Sequence, residues 1–85
     1  GGIMESKVKE LLDDKIKDLN LFVSSVYYSN EEGVKTLNIE LDSNEVIDVN
    51  KITEATKIIN PIMDDNNLCE DIDVLDIHSK EKGDE

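Results

Sequence analysis

The 85-residue sequence predicts a single α+β domain, in which a three-stranded sheet carries two helices packed on one face. Three observations lead to this fold class. Apolar residues recur at helical spacing in two segments, they alternate with polar residues between those segments, and turn-forming residues separate the elements. A chain of this length usually forms one domain. The predicted order is helix, strand, strand, helix, strand.

The first helix is predicted over residues 5–19. Its apolar side chains fall three or four positions apart, so they share one side of a helix. These residues are Val8, Leu11, Leu12, Ile16 and Leu19. The other positions mix both charge signs, which favours a helix on a sheet over one on a membrane surface. Residues 1–4 begin with Gly1, Gly2 and Ile3, which are interpreted as a cloning remnant outside the fold.

A hairpin is predicted next. Residues 21–28 are rich in β-branched and aromatic side chains, which favour a strand. In the second strand, Leu37, Ile39 and Leu41 alternate with polar residues, a pattern typical of a sheet with one wet face. The intervening "SNEEG" predicts a loop of three to five residues, in which Gly33 takes the left-handed conformation.

The second helix is predicted to begin after Asp48. The Asp48 carboxylate is placed to accept from free backbone donors of the first turn, and Ile47 and Ile52 occupy the positions of a hydrophobic staple. Pro61 removes a backbone donor, so the helix is expected to loosen there and to end by Asp65.

The third strand is predicted over residues 72–77 and is expected beside the first strand. Ile72 and Val74 differ in parity from Leu75 and Ile77, which suggests either a bulge or cover on both faces. Leu75 and Ile77 are expected to face the helices, with Val74 on the other side. The domain is thus assigned to residues 5–79, and residues 80–85 are expected to form a disordered polar tail.

The charge balance restricts the class of partner. A net charge of −12 repels phosphate backbones, so direct strong binding of nucleic acid by this domain is not expected. A basic protein is the better electrostatic partner. The lone Cys69 and the lack of an apolar run of membrane length favour a cytoplasmic protein with no membrane contact, and a monomer is expected.

Residues that could carry chemistry are few. His78 is the only histidine, the residue type that most often acts as a general acid or base, but no nucleophile or second catalytic group accompanies it in the sequence, so it is interpreted as a surface residue at a strand end. Neighbouring carboxylates should raise the pKa of Cys69 and leave its thiol unreactive. One Cys and one His are too few for zinc, and "DDNNLCEDID" lacks the calcium-loop spacing. No catalytic residue, metal or cofactor is therefore expected, and the protein is not expected to be an enzyme.

Five segments, in this order, resemble the N-terminal domain of the bacterial ribosome maturation factor RimP. They are the helix and strand of "DLNLFVSSVYY", the turn "NEEG", the strand "TLNIELD", the capped helix "VIDVNKITEATKIINPIMD" and the strand "DVLDI". The resemblance covers residues 5–79. Family members follow the third strand with a Ser-Ser-Pro-Gly turn leading into a β-barrel domain; here only Ser79 matches that turn, and the 85 residues do not contain the barrel.

The resemblance implies a non-enzymatic factor in maturation of the small (30S) ribosomal subunit, with contacts to ribosomal protein and rRNA. The acidic charge then predicts that an acidic face binds a basic ribosomal protein. The candidate contacts are Asp42, Asp48, Asp64, Asp76 and Ser79. Two alternatives remain: a small regulatory or ligand-binding α+β domain, and a degenerate stand-alone relative that binds another basic protein.

Overall fold

The computed structural model describes residues 3–80, and it has the predicted α+β order of elements. The helices and strands are α1 (Ile3–Ile16), β1 (Phe22–Glu31), β2 (Val34–Asp42), α2 (Val49–Asp65) and β3 (Val74–Ser79), and a 3₁₀ turn (Lys17–Leu19) follows α1. Residues 1–2 and the predicted tail from residue 81 lie outside the described residues. Ile3 belongs to α1, although it was predicted to lie outside the fold. Lys80 still donates its backbone N–H to the carbonyl of Leu41 at 2.6 Å.

The strands lie in the order β1-β2-β3, with β1 and β2 antiparallel and β2 and β3 parallel. The prediction that the third strand lies beside the first was wrong, because β3 pairs with the opposite edge of β2. Side chains of α1 hold the first half of the outer edge of β1, whereas within the described residues the edge of β2 carries no such side chains. The helix α2 then forms the crossover that two adjacent parallel strands require.

Three side chains one turn apart on α1 hold the edge of β1. Lys9 donates from Nζ to the carbonyl of Val23 at 2.7 Å, and Asp13 Oδ1 accepts from the N–H of Val23 at 2.7 Å. Glu5 Oε2 accepts from the N–H of Val26 at 3.3 Å. These polar groups take the place of a fourth strand along this half of β1, which is one way proteins close a sheet edge.

The hairpin between β1 and β2 is tighter than predicted. Glu31 pairs with Val34, so the loop contains two residues, Glu32 and Gly33, in place of the expected three to five. Both have positive φ, 53° and 85°, which is the requirement of a type I′ turn. Gly33 adopts the predicted left-handed conformation, and its N–H donates to Asn30 Oδ1 at 3.1 Å.

The predicted limits of α2 are confirmed. Asp48 caps its first turn by accepting from the N–H of Asn50 at 2.8 Å. The helix continues past Pro61 and ends at Asp65, where the side-chain amide of Asn66 donates to the carbonyl of Ile62 at 2.8 Å.

The core lies between the helices and one face of the sheet. Its buried residues come from α1, β1, β2, α2 and the position before β1: Val8, Leu12, Ile16, Leu21, Val23, Val26, Leu37, Ile39, Leu41, Ala55, Ile59 and Met63. Leu75 and Ile77 pack against this cluster as predicted, and Val74 is 44% exposed on the other side. Because β3 begins only at Val74, Ile72 lies outside it and the parity change needs no bulge in β3. The one register shift between β1 and β2 falls at Val23–Ser25.

Candidate interaction surface

The face of the sheet away from the core is covered by neither helix. We call it the open sheet face and define it by the outward-facing residues of the three strands. Its central members, in registered rows, are Ser25, Tyr27 and Ser29 on β1, Thr36, Asn38 and Glu40 on β2, and Val74, Asp76 and His78 on β3. The alternation of side chains along each strand places them together.

Asn38 holds the middle of the open sheet face. It is only 6% exposed, although no helix lies over it. Its side-chain amide donates to Ser29 Oγ at 2.9 Å and to the carbonyl of Tyr27 at 3.3 Å. A buried amide with satisfied donors fixes the geometry around it, so the surrounding side chains stand on a rigid platform.

A polar cluster lies beside Asn38, at the end of the face toward which β2 runs. Glu40 Oε1 accepts from Ser25 Oγ at 3.1 Å, while Oε2 of the same carboxylate lies 3.9 Å from His78 Nε2. His78 Nδ1 lies 3.6 Å from Asp76 Oδ1, and the Tyr27 and His78 rings meet edge to face with centroids 6.4 Å apart. The sequence prediction treated His78 as isolated. In the structure it stands between two carboxylates and a tyrosine ring.

The pairing of strands explains why this cluster was not predicted. Glu40 and His78 are register partners only because β3 lies parallel to β2. Placing β3 beside β1 would have separated them by one strand. The signal that could have revealed the cluster is the sequence order strand, helix, strand from β2 to β3, which is typical of adjacent parallel strands.

The predicted contact residues fall in three places. Asp42 and Asp76 lie on the open sheet face, and Ser79 is the exposed last residue of β3. Asp48 and Asp64 lie at opposite ends of α2, about 24 Å apart at the rise of a helix. The structure therefore brings two of the four carboxylates onto one face and leaves the other two on the helical layer.

Two of these carboxylates have structural roles. Asp48 caps α2, and Asp42 Oδ1 accepts from the N–H of Ser43 at 2.7 Å. Asp76 is exposed for 53% of its side chain, and Asp64 is exposed on the last turn of α2. Asp64 and Asp76 are thus the predicted residues best placed to meet a partner.

One segment of the chain carries negative charge without any Lys or Arg. Residues 58–79, which we call the acidic segment, contain six Asp or Glu residues and no Lys or Arg. All six are exposed: Asp64, Asp65, Glu70, Asp71, Asp73 and Asp76. By contrast, α1 and its 3₁₀ turn alternate charges and form the ion pairs Lys9–Asp13 at 3.1 Å and Lys17–Asp14 at 2.9 Å. The acidic segment runs from the end of α2 into β3, beside the open sheet face.

Cys69 lies in the acidic segment and is half-buried. Burial raises the pKa of its thiol, and the charge of Asp64 raises it further. The predicted direction is confirmed, but burial, which the sequence prediction did not include, is the larger cause. A thiol held in its neutral form is a poor nucleophile.

A shallow groove lies between α1 and the loop that follows β2. Its volume is about 760 Å³, and Lys9, Asp13, Phe22 and Glu45 are among its walls. The ammonium of Lys9 lies 5.8 Å from the centre of the Phe22 ring. This groove is where the alternative of a small-ligand domain would place its ligand.

The described residues contain neither a group of metal ligands nor a membrane-spanning helix. Within residues 3–80, no three His, Cys, Asp or Glu side chains converge as a metal site would require. No helix in the same range is both long and apolar enough to cross a membrane. In comparisons with known proteins, no family model and no curated protein matches the chain.

Proposed function

We propose that this domain is a non-enzymatic, cytoplasmic ribosome assembly factor domain that acts on the small (30S) subunit by binding a basic ribosomal protein. The observation that carries the proposal is the acidic segment, in which six exposed carboxylates occur without a Lys or Arg. The resemblance of residues 5–79 to the RimP N-terminal domain supports the choice of a ribosomal partner.

The charge distribution suits recognition of a Lys- and Arg-rich surface. Opposite charges accelerate the encounter of two proteins by factors of 10 to about 1,000, with a strong dependence on salt. The acidic segment would provide this attraction, because its carboxylates have no Lys or Arg among them, whereas α1 and its 3₁₀ turn carry nearly balanced charges and form two ion pairs. Nucleic acid would be repelled by the same charges.

The open sheet face offers the contacts that follow the encounter. Tyr27 is 45% exposed, and Asp76 lies in the same registered row, on the far side of Asn38. An arginine side chain can stack on an aromatic ring while its guanidinium binds a carboxylate through two hydrogen bonds. Glu40 is held by Ser25 and is therefore oriented before a partner arrives. These groups support binding of a cationic partner without any reaction chemistry.

The test measures capture of purified small-subunit ribosomal proteins by the immobilised domain at two salt concentrations. In the test variant Asp64→Lys and Asp76→Lys are combined, since neither residue is needed for a backbone hydrogen bond. The matched control combines Glu10→Lys with Asp18→Lys, which changes the net charge equally but lies on exposed positions of α1 and its 3₁₀ turn. We expect the association rate to fall about tenfold or more for the test variant, and less for the control.

Each other outcome has a definite meaning. Equal binding of the two variants would show that the acidic segment is not the contact surface. Failure of the wild-type domain to bind any small-subunit protein, combined with capture of another basic protein, would favour the degenerate stand-alone relative. Binding of a small molecule in the groove near Phe22, detected as a thermal shift, would favour the regulatory domain.

A further inference from the structure

The two outer edges of the sheet, β1 and β3, differ in whether side chains bond to their backbone groups. Along the first half of β1, Glu5, Lys9 and Asp13 bond to backbone groups at the edge. Among the described residues, no side chain bonds to the backbone of β3 (Val74–Ser79). In an edge strand, alternate N–H and C=O groups point away from the sheet and can pair with another strand. The edge of β3 is therefore open to a further strand.

The sequence of β3 also lacks most of the features that block an open edge, and its one carboxylate, Asp76, lies on the open sheet face. Natural sheets protect such edges with charged side chains, especially Lys, and with Pro, bulges or very short strands. The six residues of β3 contain neither Lys nor Pro, and its register with β2 is unbroken. The second half of β1 is open too, but its last residues Ser29, Asn30 and Glu31 are polar and exposed. In β3, by contrast, Leu75 and Ile77 are half-buried and would contact apolar side chains of an added strand.

The negative charge near β3 favours a cationic strand over a second copy of this chain at the open edge. The acidic segment includes β3, so the exposed carboxylate of Asp76 would lie close to an added strand, while Asp73 accepts from the N–H of Lys35 on the β2 side. A second copy of this chain would bring its own acidic segment to the same edge, and two molecules of net charge −12 repel each other. A strand that carries Lys or Arg would be attracted.

We propose that β3 is a strand-addition site, where an extended Lys- or Arg-bearing segment of a partner protein pairs with the β3 backbone and continues the sheet. Main-chain hydrogen bonds supply affinity in this mode, and alternate side chains supply specificity. Cationic side chains on the outer face would lie beside Asp76, and apolar side chains on the inner face beside Leu75 and Ile77. The inference rests on the proposed basic partner and specifies how that partner binds.

The experiment uses the wild-type domain and short overlapping peptides that cover the small-subunit ribosomal proteins. The peptides that bind are synthesised again with N-methyl groups on alternate residues, in the two possible phases. N-methylation removes backbone donors but keeps every side chain and charge. If a strand is added, one phase should weaken binding about tenfold or more, because several hydrogen bonds are lost, and the other phase should have a smaller effect. Amide hydrogen exchange should slow in β3 and stay unchanged in β1.

The outcomes separate this inference from the proposed function. If peptides bind, but neither methylated phase weakens binding and β3 exchange is unchanged, strand addition is wrong while the basic partner stands. If intact ribosomal proteins bind and no peptide does, strand addition by an extended segment is likewise overturned. If neither proteins nor peptides bind, both proposals fail. Slow β3 exchange in the domain alone, with a concentration-dependent dimer in sedimentation, would assign the edge to a second copy.

Discussion

Glu40 and His78 face each other across the parallel strands β2 and β3, with Oε2 of the carboxylate 3.9 Å from Nε2 of the imidazole. The other carboxylate oxygen, Oε1, accepts from Ser25 on β1. One side chain on the central strand thus contacts both neighbouring strands. This link lies on the open sheet face, where no helix helps to hold the strands together.

Substitutions of Glu40 should separate its structural role from its charge. Glu40→Ala removes the acceptor for Ser25 and should lower the free energy of unfolding by about 1 kcal/mol. Glu40→Gln keeps an acceptor oxygen and should change stability much less, while it slows association with a basic partner. Urea denaturation and association rates measure the two effects. Equal loss of stability in Glu40→Ala and Glu40→Gln would show that the hydrogen bond to Ser25 and the charge of Glu40 cannot be separated in this way.

The carboxylate of Asp13 should matter more than that of its neighbour Asp14. Asp13 accepts from the N–H of Val23 at 2.7 Å, so Asp13→Ala leaves that edge donor without its partner and should cost about 1 kcal/mol of unfolding free energy. The control Asp14→Ala breaks only an exposed ion pair with Lys17 and should leave the urea midpoint nearly unchanged. Similar midpoints for the two variants would show that α1 does not hold the β1 edge.

One substitution in the hairpin turn should raise the stability of the domain, and another should lower it. Glu32 has φ of 53°, which is unfavourable for Glu and readily accepted by Asn, so Glu32→Asn should raise stability by about 0.5 kcal/mol. Gly33→Ala, at φ of 85°, should lower stability by about 1 kcal/mol. No atom outside the turn lies within 4 Å of the added methyl position, so the loss reflects backbone strain alone. Thermal unfolding measures both, with Glu32→Gln as the control for charge.

Cys69 should react slowly with iodoacetamide in alkaline buffer, because burial and the charge of Asp64 raise the pKa of its thiol. Unfolding in urea should accelerate alkylation, and Asp64→Asn should accelerate it by a smaller amount. The folded state keeps the proton to higher pH than the unfolded state does. Its contribution to stability is therefore full below the ordinary thiol pKa of about 8.5 and is lost as the pH rises through the raised value.

The same linkage can be measured directly. The fall in stability at alkaline pH should be smaller in Cys69→Ser, which has no titrating thiol. An identical pH dependence in the wild type and Cys69→Ser would contradict the assigned shift.

Ile59 should be among the most sensitive core positions. It is fully buried on the face of α2 that meets the sheet, and Ile59→Ala should cost about 3 kcal/mol. In a domain whose total stability is on the order of 5 kcal/mol, this loss should leave a measurable unfolded fraction under mild denaturant. Val46→Ala is the control, because Val46 is 91% exposed. Circular dichroism during urea titration distinguishes the two.

Local patterns in the sequence determined the elements of this protein. The apolar spacing predicted both helices, Asp48 marked the start of α2, and Gly33 marked the turn of the hairpin. Each of these features depends on residues close together in the chain, such as the N–H of Asn50 for the Asp48 cap. Interactions between near neighbours can be predicted from spacing alone, because the geometry of a helix turn or hairpin turn is fixed.

The tertiary structure decided which strands and which distant side chains became neighbours. The position of β3 depended on whether the edge of β1 was free, and Glu5, Lys9 and Asp13 had closed part of that edge from residues 10 to 21 positions earlier in the chain. The pairing of Glu40 with His78, and the open edge of β3 next to the acidic segment, both followed from that choice. The strand-helix-strand order of the sequence favours adjacent β2 and β3, but which edge is free depends on contacts between distant residues, and the spacing of residues does not contain that information.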